Sequence, residues 1–298
     1  MASKKIFKYI FICLAVILCG VIVYKILPLV YSSVEYSSTS SVVLGDIAKN
    51  TKQVDTITET DINSGSLSLI PVTHISTPAS VRAIYVSSWT AGASKYRDPV
   101  IKMIDETELN SIVVDIKDST GRIGFTTSDP ELQKLGASEK RIPDIRALTN
   151  LLHKKNIYVI GRISVFQDPY LTKKKPEWAI TKKSDGTVWK DRKGLSFLDP
   201  ANKEVWKYTV ALARDSYAQG FDEINFDYIR YPSDGNIKDI NYRLVEGKTR
   251  ADNLESFFKY LSEEVKKEQS IPISADLFGL TTEVNDDMGI GQVWEKAL

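Results

Sequence analysis

From residue 81 onward, short runs of β-branched and aromatic residues alternate with longer stretches in which apolar residues recur every three to four positions. The first pattern predicts strands, the second amphipathic helices, and their alternation predicts βα units around a parallel sheet. Strands are predicted at 81–89, 111–118, 157–165, 223–231 and 272–279, and helices at 98–109, 142–156, 202–219 and 251–268. Val205, Tyr208, Leu212 and Tyr217 mark the apolar stripe of the third helix. Asn202 and Asp252 are predicted N-caps, and Gly220 sits where a helix C-cap is expected. Residues 292–298 read as the start of a fifth helix. This succession predicts an α/β fold of the TIM (β/α)8-barrel type. Because a closed barrel needs eight strands, the alternatives are a barrel truncated after its fifth βα unit or an open sheet, and the truncated barrel is the expectation.

The N-terminal third has a different texture. Lys4, Lys5 and Lys8 precede sixteen uncharged residues, 9–24, and a second apolar piece at 26–31 follows Lys25. With Ile6 and Phe7, the two pieces approach the ~20 residues that span a bilayer. No small-residue cleavage site follows, which predicts an uncleaved signal anchor rather than a removed signal peptide. The basic cluster then stays in the cytoplasm and the remainder is exported, as a single-pass protein of the cell membrane with an extracytoplasmic main domain. Residues 32–80, rich in Ser, Thr, Val and Asp, predict a flexible stalk. The expected division is therefore a cytoplasmic tip and transmembrane anchor at 1–31, a stalk at 32–80 and a barrel domain at 81–298.

Composition narrows the chemistry. Thirty-nine Lys and Arg against thirty-eight Asp and Glu leave a formal net charge of +1, so no long-range field draws in nucleic acid. The only histidines are His74 and His153, too few for most zinc sites or for Ser-His-Asp catalysis, and this disfavours a metal-dependent deacetylase. Both cysteines, Cys13 and Cys19, lie in the apolar N-terminal stretch, so no disulfide framework is possible beyond it. Neither metal nor cofactor is expected, and the chemistry must rest on carboxylates.

Strand alternation indicates where those carboxylates point, since catalytic groups of barrels project from the C-terminal strand ends. On the fourth strand Ile224, Phe226 and Tyr228 form the helix-facing set, leaving Asn225 and Asp227 to face inward. Val113, Asp115 and Lys117 share a face on the second, Tyr158, Ile160, Arg162 and Ser164 on the third, and Ser274, Asp276 and Phe278 on the fifth. A charge in apolar β-sequence costs several kcal/mol unless paired or used. The competing reading is a buried ion-pair network of Asp115, Lys117, Arg162 and Asp227 that only fixes the barrel. The adjoining loops add Trp89, Asp118, Asp168, Arg230, Tyr231 and Asp234. Asp227 and Asp276 come from adjacent strands about 4.8 Å apart, compatible with the ~5–5.5 Å carboxyl separation of a retaining glycosidase. Trp89, Trp178, Trp189, Tyr228 and Tyr231 offer faces on which a sugar ring can stack, whereas Trp206 reads as helix packing. The long segment 167–200 is expected to lie over the site.

The stretches Val113-Val114-Asp115-Ile116-Lys117-Asp118-Ser119-Thr120-Gly121, Phe221-Asp222-Glu223-Ile224-Asn225-Phe226-Asp227-Tyr228-Ile229-Arg230-Tyr231-Pro232 and Ser274-Ala275-Asp276-Leu277-Phe278-Gly279, with Val81-Arg82-Ala83-Ile84-Tyr85-Val86, resemble the putative glycosyl hydrolase domain of bacterial surface proteins. The resemblance covers about 81–298. It implies a barrel related to glycosidases of the α-amylase and α-galactosidase type, in which the aspartate ending the fourth strand is catalytic, a role that falls on Asp227. Asp276 matches the acid by strand position. The reading is a hydrolase of a cell-wall or extracellular polysaccharide. Asp227 attacks, Asp276 protonates the leaving oxygen, and Asp115, Lys117, Asp118, Arg162, Asn225, Arg230, Tyr231 and Trp89 bind the sugar. The alternative is a noncatalytic carbohydrate-binding or wall-attachment protein on the same scaffold.

Overall fold

The computed structural model describes residues 72–267, 269–284 and 286–297. The predicted membrane anchor and the stalk as far as residue 71 lie outside the described residues, among which no helix is long and apolar enough to cross a membrane.

Five parallel strands form the sheet: β1 (Ala83–Val86), β2 (Ser111–Lys117), β3 (Tyr158–Ser164), β4 (Glu223–Asp227) and β5 (Ile273–Ala275). They lie side by side in chain order. A parallel sheet whose order never reverses is the strand succession of a β/α barrel rather than of a doubly wound sheet, which has a switch point. The connections carry α1 (Ser88–Gly92), α2 (Ser94–Glu106), α3 (Pro130–Leu135), α4 (Ile145–His153), α5 (Pro169–Lys174), α6 (Lys203–Tyr217) and α7 (Arg250–Lys266). Helices α2, α4, α6 and α7 are the four that periodicity predicts. Ile112, Val114, Ile116, Val159, Ile163, Ile224 and Phe226 project from the sheet into a core with Ile101, Ile104, Leu148, Leu152, Val205, Leu212, Leu254, Phe257 and Leu261 of these helices. Each such buried side chain contributes about 1.5–3 kcal/mol.

Element ends differ from expectation for local reasons. β1 stops at Val86 because Ser87 caps α1, its hydroxyl accepting the Thr90 amide. β4 stops at Asp227 because Tyr228 turns to φ +54°, a left-handed conformation that ends the ladder. Asn202 caps α6 as predicted. For α7 the cap is Thr249 rather than Asp252, which instead completes a capping box from the third helical position. Residues 294–296 form a single 3-10 turn in place of the predicted fifth helix.

The end of the predicted stalk is a strap rather than free chain. Asp222, at the N-terminal end of β4, has a fully buried side chain that accepts the Ile75 amide at 2.8 Å, the Val159 amide at 2.8 Å and His153 Nε2 at 3.0 Å. His74 stacks on Tyr217 at 3.8 Å between ring centroids, and Thr77 Oγ1 meets Tyr158 Oη at 2.9 Å. Both histidines of the chain thus converge on one carboxylate. Burial opposes the Asp222 charge, but the bonds from His153, His74 and the two amides hold its carboxyl below the usual range.

A folded-state value below the unfolded one adds stability that is present above about pH 4 and is lost as pH falls through the folded value. Asp222→Asn, which turns an amide donor toward other donors, should cost about 2–3 kcal/mol at pH 7. In urea unfolding measured between pH 3 and 7, the parent's advantage should shrink below about pH 4; a gap independent of pH would refute this role.

Candidate active site

At the C-terminal ends of the strands a hydrogen-bonded chain crosses four strands. Tyr85 Oη on β1 donates to Asp115 Oδ2 on β2 at 2.6 Å, and Arg162 Nη1 on β3 donates to Asp115 Oδ1 at 2.8 Å. Arg162 Nε donates to Asp227 Oδ2 on β4 at 3.0 Å, with Nη2 on the same oxygen. The Tyr228 amide closes the chain on Asp227 Oδ1 at 2.5 Å. The register brings Arg162 beside both Asp115 and Asn225, so the network follows from alternation along neighbouring strands.

Burial raises the Asp115 carboxyl above its ordinary range, and the bonds from Tyr85 and Arg162 pull part of that back. Burial and the bond to Asp115 push the Tyr85 hydroxyl up to about 12. Burial works against the charge of Arg162, yet its hydrogen bond to Asp115 and its attraction to Asp227 hold the guanidinium above its ordinary value. It is a permanent cation here.

Next to this chain, Asn225 Nδ2 donates to Ser274 Oγ at 3.2 Å and to Asp276 Oδ1 at 3.1 Å, while Asn225 Oδ1 is buried without a partner among the described residues. Asp276 follows β5 directly, its amide bonded to the Phe226 carbonyl at 2.9 Å, so it stands one register step beyond the pairing of Phe226 with Ala275, beside Asp227. Alternation puts both carboxylates on the face of Asn225 and Ser274. That face lines a cleft of about 280 Å³ formed by Tyr85, Val113, Ile160, Arg162, Glu223, Asn225, Ser274 and Asp276. A second, polar cleft of about 330 Å³ takes its walls from Ser119, Gln167, Asp191, Lys193, Tyr228, Arg230 and Asp234, among others. The larger hollow between α7 and β5, about 510 Å³, lies behind the sheet against Phe226 and Leu261, away from the strand ends.

A family model described as "Putative glycosyl hydrolase domain" matches residues 83–297, which contain every strand of this sheet and both clefts. The chain belongs to that family. The crystal structure of a hypothetical protein from Ruminiclostridium thermocellum is similar at 35% identity and TM-score 0.60, over 66% of this chain and 98% of that one. An α-galactosidase from Thermus thermophilus is similar at 16% identity and TM-score 0.44, over 68% of this chain and 40% of its own. A β-N-acetylhexosaminidase is similar at 14% identity and TM-score 0.49, over 69% and 48%. No curated protein matches the sequence.

Four sequence-based expectations for this family member are corrected. Lys117 is buried and lines neither cleft. The ladder shifts between Asp115 and Lys117, so the two leave the shared face that strict alternation predicts. Lys117 is 0% exposed, its Nζ donating to Asp168 Oδ2 at 2.8 Å and to the Val165 carbonyl at 3.2 Å beneath the Tyr208 ring. Asp168 rests against Gly121, where any Cβ would come within 2.0 Å of its carboxylate. Tyr231 is 1% exposed, its hydroxyl accepting Asn253 Nδ2 at 2.9 Å, and is a core residue. Trp189 is buried and donates Nε1–H to the Asn236 carbonyl, so it offers no free face, whereas Trp178 is half-buried with its ring tilted against Tyr208 at 6.1 Å. Tyr228 leaves the helix-facing set because its backbone turns left-handed at the strand end, and its ring comes to 5.9 Å from the Arg162 guanidinium.

Trp89 is exposed on α1, with the Arg141 guanidinium 5.0 Å from its ring. Arg141 Nη1 in turn donates to Asp118 Oδ2 at 2.6 Å. Burial opposes the Asp118 charge, but Thr120 and Arg141 hold its carboxyl below the ordinary range. These two predicted residues therefore form a rim cluster rather than lining either cleft. Segment 167–200 does contribute walls to the second cleft, but it carries its own small core of Ile180, Trp189 and Phe197 with Ile240. Tyr85 and Arg141 escape sequence reasoning; the phase of β1 relative to Asp115 would have exposed Tyr85.

The two inward cations should separate by measurement. Lys117→Met strands a buried carboxylate and should cost about 3–5 kcal/mol. Arg162→Gln, at a partly solvated position where glutamine still donates, should cost about 1–2 kcal/mol. Urea unfolding of both variants checks the order, and an equal or reversed cost would mean that Arg162 is the structural cation.

Proposed function

We propose that this domain is a barrel-type glycoside hydrolase acting on a cell-wall or extracellular polysaccharide, tethered to the cell membrane by its N-terminal segment. The supporting observation is the placement of Asp227 and Asp276 on one face at the ends of neighbouring strands, with Asp276 lining the inner cleft and Asp227 bound to Arg162, which lines it too. Two carboxylates in that relation are what glycosidic bond cleavage uses. Asp227, oriented by Arg162 and the Tyr228 amide, attacks the anomeric carbon as the bond to the leaving oxygen breaks. Asp276, oriented by Asn225, gives its proton to that oxygen. Water then attacks the glycosyl ester with Asp276 accepting the proton, which frees the sugar and restores Asp227. Asn225, on the wall of the inner cleft, holds Asp276 in place through its amide nitrogen. Trp89, exposed and braced by Arg141, supplies a flat apolar face at the rim.

One observation favours the noncatalytic alternative: both oxygens of Asp227 already accept hydrogen bonds, as in a network that only holds strand ends together. The deciding experiment measures reducing ends released by the full chain from a panel of bacterial polysaccharides. Hydrolysis predicts release by the parent and a loss of at least about 10³-fold in Asp227→Asn at unchanged Tm, comparable with loss of other essential groups. A folded parent that binds a polysaccharide and releases nothing would establish the binding protein instead.

A further inference from the structure

The two clefts differ in charge. Around the inner one, Asp115, Asp227, Asp276 and Glu223 meet a single guanidinium, that of Arg162. In the outer one the two carboxylates are engaged locally. Asp191 Oδ1 accepts the amides of Lys193 and Leu195 at 2.9 and 2.8 Å, and Asp234 Oδ1 accepts the Gly235 amide at 2.8 Å and pairs with Arg192 at 3.1 Å. Arg230 is different. Its Nη1 bonds only the Ser233 hydroxyl, at 3.0 Å, and its guanidinium lies 5.6 Å from the Tyr228 ring, with no carboxylate partner among the described residues. Lys193, on the same cleft, also has none.

Tyr228 joins the two clefts. Its amide holds Asp227, its ring centroid lies 5.9 Å from the Arg162 guanidinium and 5.6 Å from that of Arg230, and the residue lines the outer cleft. A solvent-reaching guanidinium near an aromatic ring, with no carboxylate partner among the described residues, is a ready bidentate partner for a planar carboxylate. The carboxylates around the inner cleft repel the same group.

We infer that the outer cleft is a subsite for an anionic sugar, with Arg230 binding the carboxylate of a uronic acid while an uncharged sugar lies over Asp227 and Asp276. The substrate class is then an acidic polysaccharide in which an uncharged unit adjoins a uronate. This inference rests on the glycan-binding reading above but not on turnover. The probes are oligosaccharides of hyaluronate, unsulfated chondroitin and the rhamnogalacturonan I backbone, in each of which an uncharged unit adjoins a uronate, each beside its neutral methyl ester, and a phosphate-bearing glycan. Binding is measured by calorimetry with the full chain carrying Asp227→Asn, so that no hydrolysis intervenes.

At least one uronate should bind about ten-fold or more tightly than its ester, with the difference fading as salt is raised. Arg230→Gln should erase that preference at unchanged Tm, and Arg230→Lys should restore part of it. Equal affinity for acid and ester in every pair, a preference that survives Arg230→Gln, or a preference for the phosphate glycan alone would each overturn the assignment. Loss of the preference with release of neutral glycans would leave the hydrolase reading standing. Retained preference without release of reducing ends by the parent would sink the hydrolase and spare the subsite.

Discussion

The guanidinium of Arg162 allows neighbouring strands to end in carboxylates at one place. Asp115 and Asp227 flank it from β2 and β4, and each carboxylate brought out of water would alone cost several kcal/mol. A lysine could neutralise them as a point charge, but it could not present separate edges to two acids on opposite sides. With the guanidinium in place, Tyr85 reaches Asp115 and the Tyr228 amide reaches Asp227. The result is one rigid row of polar groups beside the Asn225 and Asp276 pair.

Lys117 shows how close the sequence came to a different answer. By spacing alone it is the twin of Arg162, an inward cation on the neighbouring strand. A one-residue irregularity in β2 reverses its function, sending the side chain into the dry interior to meet Asp168. No residue type marks that irregularity. Whether an inward charge in a strand is a site or a strut depends on the phase of the ladder, which local sequence encodes weakly.

The parts legible in the sequence were those governed by period. Five strands, four long helices, the Asn202 cap and the shared face of Asn225 and Asp227 all follow from alternation of two or of three to four. What failed needed a partner distant in the chain or a special backbone state. The strap at 72–80 reads as stalk because its own composition is polar. Its order comes from Asp222, about 150 residues away, and from stacking on Tyr217. Tyr231 and Trp189 read as sugar platforms because an aromatic residue beside polar neighbours looks exposed until the loops that bury it are folded. Asp252 was recognised as a capping residue but placed in the wrong role, since either position of a capping box can be occupied by an acid.

Tyr228 ties these strands of argument together. A non-glycine residue at φ +54° carries a conformational cost of about 1–3 kcal/mol that the surrounding structure must offset. Continuing β4 in extended form would direct the ring toward the helices, as alternation predicts, and would turn the amide away from Asp227. The left-handed turn instead gives the Asp227 carboxylate an N–H donor and brings the ring near two guanidinium groups, 5.9 Å from Arg162 and 5.6 Å from Arg230. The cost is concentrated at this single residue, where β4 ends beside the outer cleft, and the bond to Asp227 with the contacts of the ring is what offsets it.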